Sequence, residues 1–153
     1  MKLAEALLER ADLQRRIEAL QSRIVANASS QEGEEPAEDP AELLVEVTRA
    51  LAALEGLVTA INLANTTATT TEGLPLTAAL ARRESLRSRH SILGRAADAA
   101  AGERGYRQMR SELRRLPALP VRELREQADV VARELRALDV AIQRTNWEVD
   151  LQI

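Results

Sequence analysis

Four side chains near predicted helix ends are the best candidates in this sequence for holding a small ligand. They are Asn62, Asn65, Asn146 and Trp147. An asparagine amide donates and accepts hydrogen bonds and an indole adds a flat apolar surface, so the group would suit a small-ligand site or an unrecognised hydrolase site. A structural role explains the same residues, because asparagine tolerates helix-end conformations and a tryptophan can fill the end of a bundle. The structural role is the favoured interpretation.

Charged residues form a second set of candidates, on the third predicted helix and in the first loop. The residues that could form salt bridges between copies of the chain are Arg82, Arg83, Arg87, Glu32, Glu34 and Glu35. A basic helix face could bind phosphate, but no aromatic residues alternate with the arginines to stack on bases. The acidic loop could bind Ca²⁺ or Mg²⁺, but it lacks the ligand spacing of an EF-hand. We expect the arginines to pair with neighbouring helices or with the acidic loop of another copy.

The composition excludes several kinds of catalytic chemistry. The chain has 153 residues, no cysteine and one histidine, His90. Without cysteine there is no thiol nucleophile, thiolate zinc site or iron–sulfur cluster, and a single histidine excludes an HExxH metal site. The formal net charge of −3 gives no reason to expect nucleic acid as a partner. We therefore predict no catalytic residue, no metal and no cofactor, and we expect a non-enzyme.

Apolar residues with heptad spacing are the strongest pattern in the sequence, and they define three helices. The first row is Leu3, Ala6, Arg10, Leu13, Ile17, Leu20 and Ile24; the second is Leu44, Val47, Leu51, Leu54, Val58 and Ile61; the third is Val121, Leu124, Ala128, Val131, Leu135, Leu138 and Ile142. Alternating steps of three and four place each row on one side of an α-helix and favour coiled-coil packing. A further stretch after Thr77 favours a helix by composition, although Arg83 and His90 interrupt its apolar row.

These patterns predict an all-α protein with one helical domain over residues 1–153. Its helices span about residues 2–26, 40–65, 77–100 and 121–146. Short connections favour an antiparallel bundle of four long, coiled-coil-like helices. The threonine-rich segment 66–71 predicts a minor β-hairpin, and the alternating tail 147–153 predicts a strand at the same pole of the bundle. The long link 101–120 is expected to contain some extended chain.

Several local motifs resemble those of a family of small bacterial proteins. The motifs lie at residues 1–7, 9–11, 27–28, 31–34, 39–40, 76–77, 79–83, 142–143 and 146–147. On these residues the chain resembles the septicolysin-like family, which carries a domain of unknown function. The resemblance implies an all-helical, coiled-coil-rich fold without an established activity. Thiol-activated lysis is excluded for this chain because it has no cysteine.

The sequence therefore predicts a non-enzymatic, oligomeric structural or interaction protein of unknown cellular role. Its expected partner is a second copy of itself, with neither nucleic acid nor membrane as a partner. Glu5, Glu9 and Arg10 interrupt the first apolar stretch, which argues against a signal peptide and favours the cytoplasm. Two alternatives stay open: a membrane-active, cytolysin-like helical protein, and a small-ligand binder or hydrolase that uses the asparagine and tryptophan residues.

Overall fold

Four long helices make up nearly all of the chain that the structure describes. A computed structural model describes residues 1–102 and 116–151. The helices are α1 (Leu3–Asn27), α2 (Pro40–Thr67), α3 (Leu76–Ala101) and α4 (Val121–Glu148). These bounds lie within two residues of the predicted ones, so the prediction of four helices is confirmed. Most of the predicted link, residues 103–115, and the last two residues of the predicted tail strand lie outside the described residues.

Local chemistry sets the helix ends. The Asp39 carboxylate accepts a hydrogen bond from the Ala41 amide at 2.8 Å, and Pro40 occupies the first turn of α2, where its missing N–H costs no hydrogen bond. Gly102 ends α3 with a left-handed φ of 79°, and its amide donates to the carbonyls of the last turn. Asp39 and Gly102 thus fix two helix ends through contacts that are local in sequence.

The first compact unit contains residues 1–68 and 144–153. Arg16 pairs with Glu46 at 2.8 Å and Arg23 pairs with Glu38, so later residues of α1 meet earlier residues of α2. The two helices are therefore antiparallel. Their shared core consists of Leu20, Leu43 and Ala50, with Ile17, Ile24 and Val47 packed against it. The predicted apolar row of α1 is confirmed, since all its members are buried or partly buried.

The buried row of α2 differs from the predicted row. The buried apolar side chains are Leu43, Ala50, Leu57 and Ile61. The predicted row contained Leu44, Leu51 and Val58, each one residue later than a buried position. Leu44 and Leu51 are 53% and 49% exposed. The prediction failed at Leu44 and Leu51, whereas its other four members are buried or partly buried. The reason is that α2 carries apolar residues on two adjacent sides, and spacing alone does not say which side faces α1.

The second compact unit contains residues 69–143 and includes α3 and most of α4. Arg83 and Arg87 approach Asp139 at 4.0 and 3.9 Å, whereas Arg89, further along α3, lines a groove with residues 123–134. Later residues of α3 therefore lie beside earlier residues of α4, so the two helices are antiparallel. The predicted row of α4 is confirmed, since Val131 and Ile142 are buried and the other members are partly buried.

The predicted β-hairpin and tail strand do not form a sheet within the described residues. Two isolated bridges occur, Thr69 with Pro75 and Lys2 with Asp150. The threonine segment fails as a hairpin because α2 continues to Thr67, where the hydroxyl groups of Thr66 and Thr67 donate to carbonyls of the preceding turn. Pro75 then lacks an N–H for a longer ladder, and α3 begins at the next residue. This part of the fold prediction was wrong.

Asn27 closes the link between α1 and α2. Its buried amide donates to the Arg23 carbonyl at 2.9 Å and accepts from the Glu38 amide at 3.0 Å. We expect Asn27→Ala to lower the free energy of unfolding by about 1–3 kcal/mol, because it leaves the Glu38 N–H and the Arg23 carbonyl without this partner. Urea denaturation would measure the change.

The control for this prediction is Asn62→Ala, which alters an exposed asparagine. Its effect should stay within about 0.5 kcal/mol. Equal stability of Asn27→Ala and Asn62→Ala would show that the two hydrogen bonds do not hold the link.

Candidate functional site

The predicted asparagine and tryptophan candidates lie in one compact unit but differ in exposure. Asn146 is buried, Asn65 is partly buried, and Asn62 and Trp147 are exposed. Asn146 and Trp147 are neighbours near the end of α4 that differ sharply in burial. In the part of the chain that the structure describes, no hydrogen bond or ion pair joins any two of the four. Their role as a binding site stays a prediction.

The predicted salt-bridge residues divide into two groups. Arg83 and Arg87 lie near Asp139 of their own chain, and Arg87 also lies 3.9 Å from Glu84. Arg82, Glu32, Glu34 and Glu35 are exposed and make no ion pair within residues 1–102 and 116–151. Two of the six candidates therefore have carboxylates nearby in the chain, and the other four have no ion-pair partner among the described residues.

The ion pair between Arg23 and Glu38 holds the end of the acidic loop against α1. Arg23 Nε donates to Glu38 Oε2 at 2.9 Å, and Arg23 Nη2 donates to Glu38 Oε1. This two-point hydrogen bond raises the pKa of Arg23 and lowers the pKa of Glu38. Sequence reasoning missed this pair, because it joins a helix residue to a loop residue that showed no pattern of its own.

The two ends of the described chain clasp each other. The Leu3 amide donates to the Val149 carbonyl at 2.9 Å, and the Leu151 amide donates to the Met1 carbonyl at 2.8 Å. Lys2 Nζ donates to Asp150 Oδ2 at 2.8 Å, and this hydrogen bond lowers the pKa of the Asp150 carboxyl. We call residues 1–3 and 149–151 the terminal clasp. The alternating pattern of the tail predicted extended chain, but the sequence did not indicate that residues 1–3 would pair with it.

A shallow apolar depression lies on the exposed side of α2. The residues that line it are Thr48, Leu51, Ala52, Leu54, Glu55 and Val58. Leu44 and Val58 lie one heptad before and after Leu51, so these three side chains form a row along the helix. We call Leu44, Leu51 and Val58 the second α2 row. Its spacing was visible in the sequence, but its exposure was not.

A second groove runs between α3 and α4 and is lined about equally by polar and apolar surface. The residues that line it are Arg89, Glu123, Glu126, Gln127, Val130, Val131 and Glu134. Glu126 already forms a 2.8 Å ion pair with Arg122, one turn earlier on α4. The groove thus combines a cation from α3 with carboxylates and two valines from α4.

The described residues contain neither a cluster of metal ligands nor a helix that could span a membrane. No three His, Asp or Glu side chains of residues 1–102 and 116–151 lie close enough together to hold a metal ion. Within the same residues, no helix combines the length and apolar character needed to cross a bilayer.

The described residues form a four-helix, nearly all-helical fold with one groove on α2 and another between α3 and α4. The chain belongs to a family of unknown function, DUF6847, whose model matches residues 10–151. It is also similar to a functionally unknown conserved protein from Corynebacterium diphtheriae, known from a crystal structure. The sequence identity is 38%, the match covers 99% of each chain, and the TM-score is 0.93. Among curated proteins, none matches the chain.

These matches correct the family resemblance drawn from the local motifs. The family model and the solved structure both point to a family of unknown function, and neither indicates a septicolysin-like protein. The motifs failed as a guide because each is only two to seven residues long, and the longest are helix-forming runs of Ala, Leu, Glu and Arg, which many helical proteins contain.

The terminal clasp predicts a pH-dependent contribution to stability. The pKa of Asp150 is lowered in the folded state, so its stabilising effect is present above the unfolded pKa of about 3.9 and disappears as the pH falls through the folded-state pKa. We expect Asp150→Asn to lower the thermal unfolding midpoint at neutral pH, and the difference from the wild type to vanish in acid. Thermal scans followed by circular dichroism would measure both values.

Asp129→Asn is the matched control, since Asp129 is exposed on α4 and makes no ion pair with the described residues. It should leave the midpoint nearly unchanged at neutral pH. If Asp150→Asn and Asp129→Asn behave alike at every pH, the Lys2–Asp150 contact does not stabilise the clasp.

Proposed function

We propose that this protein is non-enzymatic and works as a self-associating structural or interaction protein. The observation that carries the proposal is the second α2 row. Leu44 and Leu51 are about half-exposed, and the depression around Leu51 is lined mainly by apolar side chains. A helix with apolar residues on two sides is typical of one that is buried on two sides. The chain covers one side of α2, and we assign the other side to a second copy.

The energetics favour covering the second α2 row. Burying a whole leucine side chain contributes about 1.5–3 kcal/mol, so covering the exposed half of Leu44 or Leu51 contributes about 1 kcal/mol. Each contribution counts twice in a symmetric dimer, because both copies supply the same residues. Such a gain helps to offset the loss of translational and rotational freedom on association.

The spacing of the row suits a two-fold contact between copies. If two α2 helices pack antiparallel with the symmetry axis at Leu51, the two Leu51 side chains meet. Leu44 of each copy then lies beside Val58 of the other. The heptad repeat keeps these contacts on one side of each helix, as in a coiled coil.

The electrostatics favour a binding role over a catalytic one. Among the described residues, Arg23, Glu38 and Asp150 have shifted pKa values, and each belongs to an ion pair at an exposed position. Shifts of this origin stabilise local contacts, whereas a general acid or base needs a shifted group that faces a substrate cleft. His90, the single histidine, is exposed on α3.

Leu51→Lys tests the proposal, because it places a charge at the centre of the second α2 row. We expect the wild type to have a mass above 16.8 kDa at micromolar concentration, and Leu51→Lys to have a lower mass under the same conditions. Size-exclusion chromatography with light scattering would measure both masses. Circular dichroism would show that the variant keeps its helices.

Leu63→Lys provides a matched control, since Leu63 is an exposed leucine on the same helix but lies outside the row. It should keep the mass of the wild type. A wild-type mass of 16.8 kDa at every concentration would overturn the proposal. If Leu51→Lys and Leu63→Lys lower the mass equally, the contact between copies does not depend on the second α2 row.

A further inference from the structure

We propose that the groove face of α3 and α4 forms a second contact between copies, with α3 of one copy lying over α4 of the other. The inference rests on the proposed self-association and adds a second surface to it. On α3, Arg82, Arg89 and Ile92 lie on one side of the helix, because seven and three residues separate them. On α4, the groove exposes Glu123, Glu126, Glu134 and Val130. We call these seven residues the groove face.

Charge selects the arrangement of the two copies. On the α3 side the groove face carries Arg82 and Arg89, and on the α4 side it carries Glu123, Glu126 and Glu134, of which Glu126 is paired with Arg122. A two-fold axis parallel to the helices places α3 over α4 of the second copy and brings opposite charges together twice. A two-fold axis across the helices would place α3 over α3 and α4 over α4, which brings like charges together. Complementary charge therefore favours the first arrangement.

The register of the two helices brings apolar residues into the same contact. Arg83 lies level with Asp139, at 4.0 Å. Nine residues further along α3 is Ile92, and nine residues back along α4 is Val130, so these two side chains lie at the same level. Ile92 is 66% exposed and Val130 is 45% exposed. In the proposed pairing Ile92 of each copy covers Val130 of the other.

The same register assigns the ion pair at the centre of the contact. Six residues separate Arg89 from Arg83, and the equivalent position on α4 is Arg133, so Glu134 beside it is the nearest carboxylate at that level. Arg89 and Glu134 line the same groove, yet Arg89 makes no ion pair within the described residues. We assign Glu134 of the second copy as the partner of Arg89. Two copies of this pair would flank the contacts between Ile92 and Val130.

Charge reversal tests the assignment. Arg89→Glu or Glu134→Arg alone places like charges opposite each other. We expect each variant to raise the dissociation constant of this contact about tenfold or more. The double variant Arg89→Glu with Glu134→Arg restores opposite charges and should recover the wild-type association. Sedimentation velocity over a range of concentrations would measure the distribution of masses. Arg95→Glu, an exposed charge reversal outside the groove face, should behave as the wild type.

The outcomes separate this inference from the proposed function. If both contacts exist, the wild type is larger than a dimer. Leu51→Lys removes the α2 contact and Arg89→Glu removes the α3–α4 contact, so each variant alone leaves a dimer. The two substitutions together leave a monomer. If Leu51→Lys lowers the mass while both charge reversals leave it unchanged, the α3–α4 contact is overturned and self-association through α2 stands. A monomeric wild type overturns both.

Discussion

The burial of a heptad-spaced apolar row on each of α1, α2 and α4 is the interaction on which the rest of the described structure depends. The chain has no phenylalanine and only two aromatic residues, so its core must come from aliphatic side chains. Leu20, Leu43 and Ala50 supply the shared core of α1 and α2, and Val131 and Ile142 are the fully buried members of the α4 row. Small aliphatic side chains make thin cores. A thin core does not cover every apolar residue of a helix, so some of them stay exposed, and α2 shows this most clearly.

Several polar contacts fix the ends of the helices. Asn27 and the Arg23–Glu38 pair hold the first loop, and the terminal clasp joins residues 1–3 to residues 149–151. Because these ion pairs are exposed, each adds little to stability. Their effect is geometric: they set where the helices begin and end, and so which apolar side chains face the core. The loops therefore support the register that the apolar rows require.

The sequence predicted the structure correctly where a local pattern is compatible with only one local structure. The rows of α1 and α4 hold most of the large apolar residues of those helices, and their members are buried or partly buried as predicted. The Asp39–Pro40 start of α2 and the glycine end of α3 are local effects, and they were equally readable. α2 was harder, since residues such as Leu43 and Leu44 are both apolar and only packing against α1 decides which is buried. The threonine segment misled because hydroxyl groups of Thr66 and Thr67 extend a helix as readily as they suit a strand.

The candidate surfaces depended on contacts that are distant in sequence, which explains why they were only partly predictable. Arg83 and Arg87 were predicted to pair between copies, which stays a prediction, and within the chain both lie near Asp139 of another helix. The groove face needs the register of α3 against α4, which no local pattern contains. The most direct test of the account is thiol labelling of Leu51→Cys in a chain that has no cysteine of its own. If a second copy covers the second α2 row, labelling is slow in concentrated protein and speeds up on dilution, while Leu63→Cys reacts at one rate throughout. Concentration-independent labelling at both positions would contradict the account.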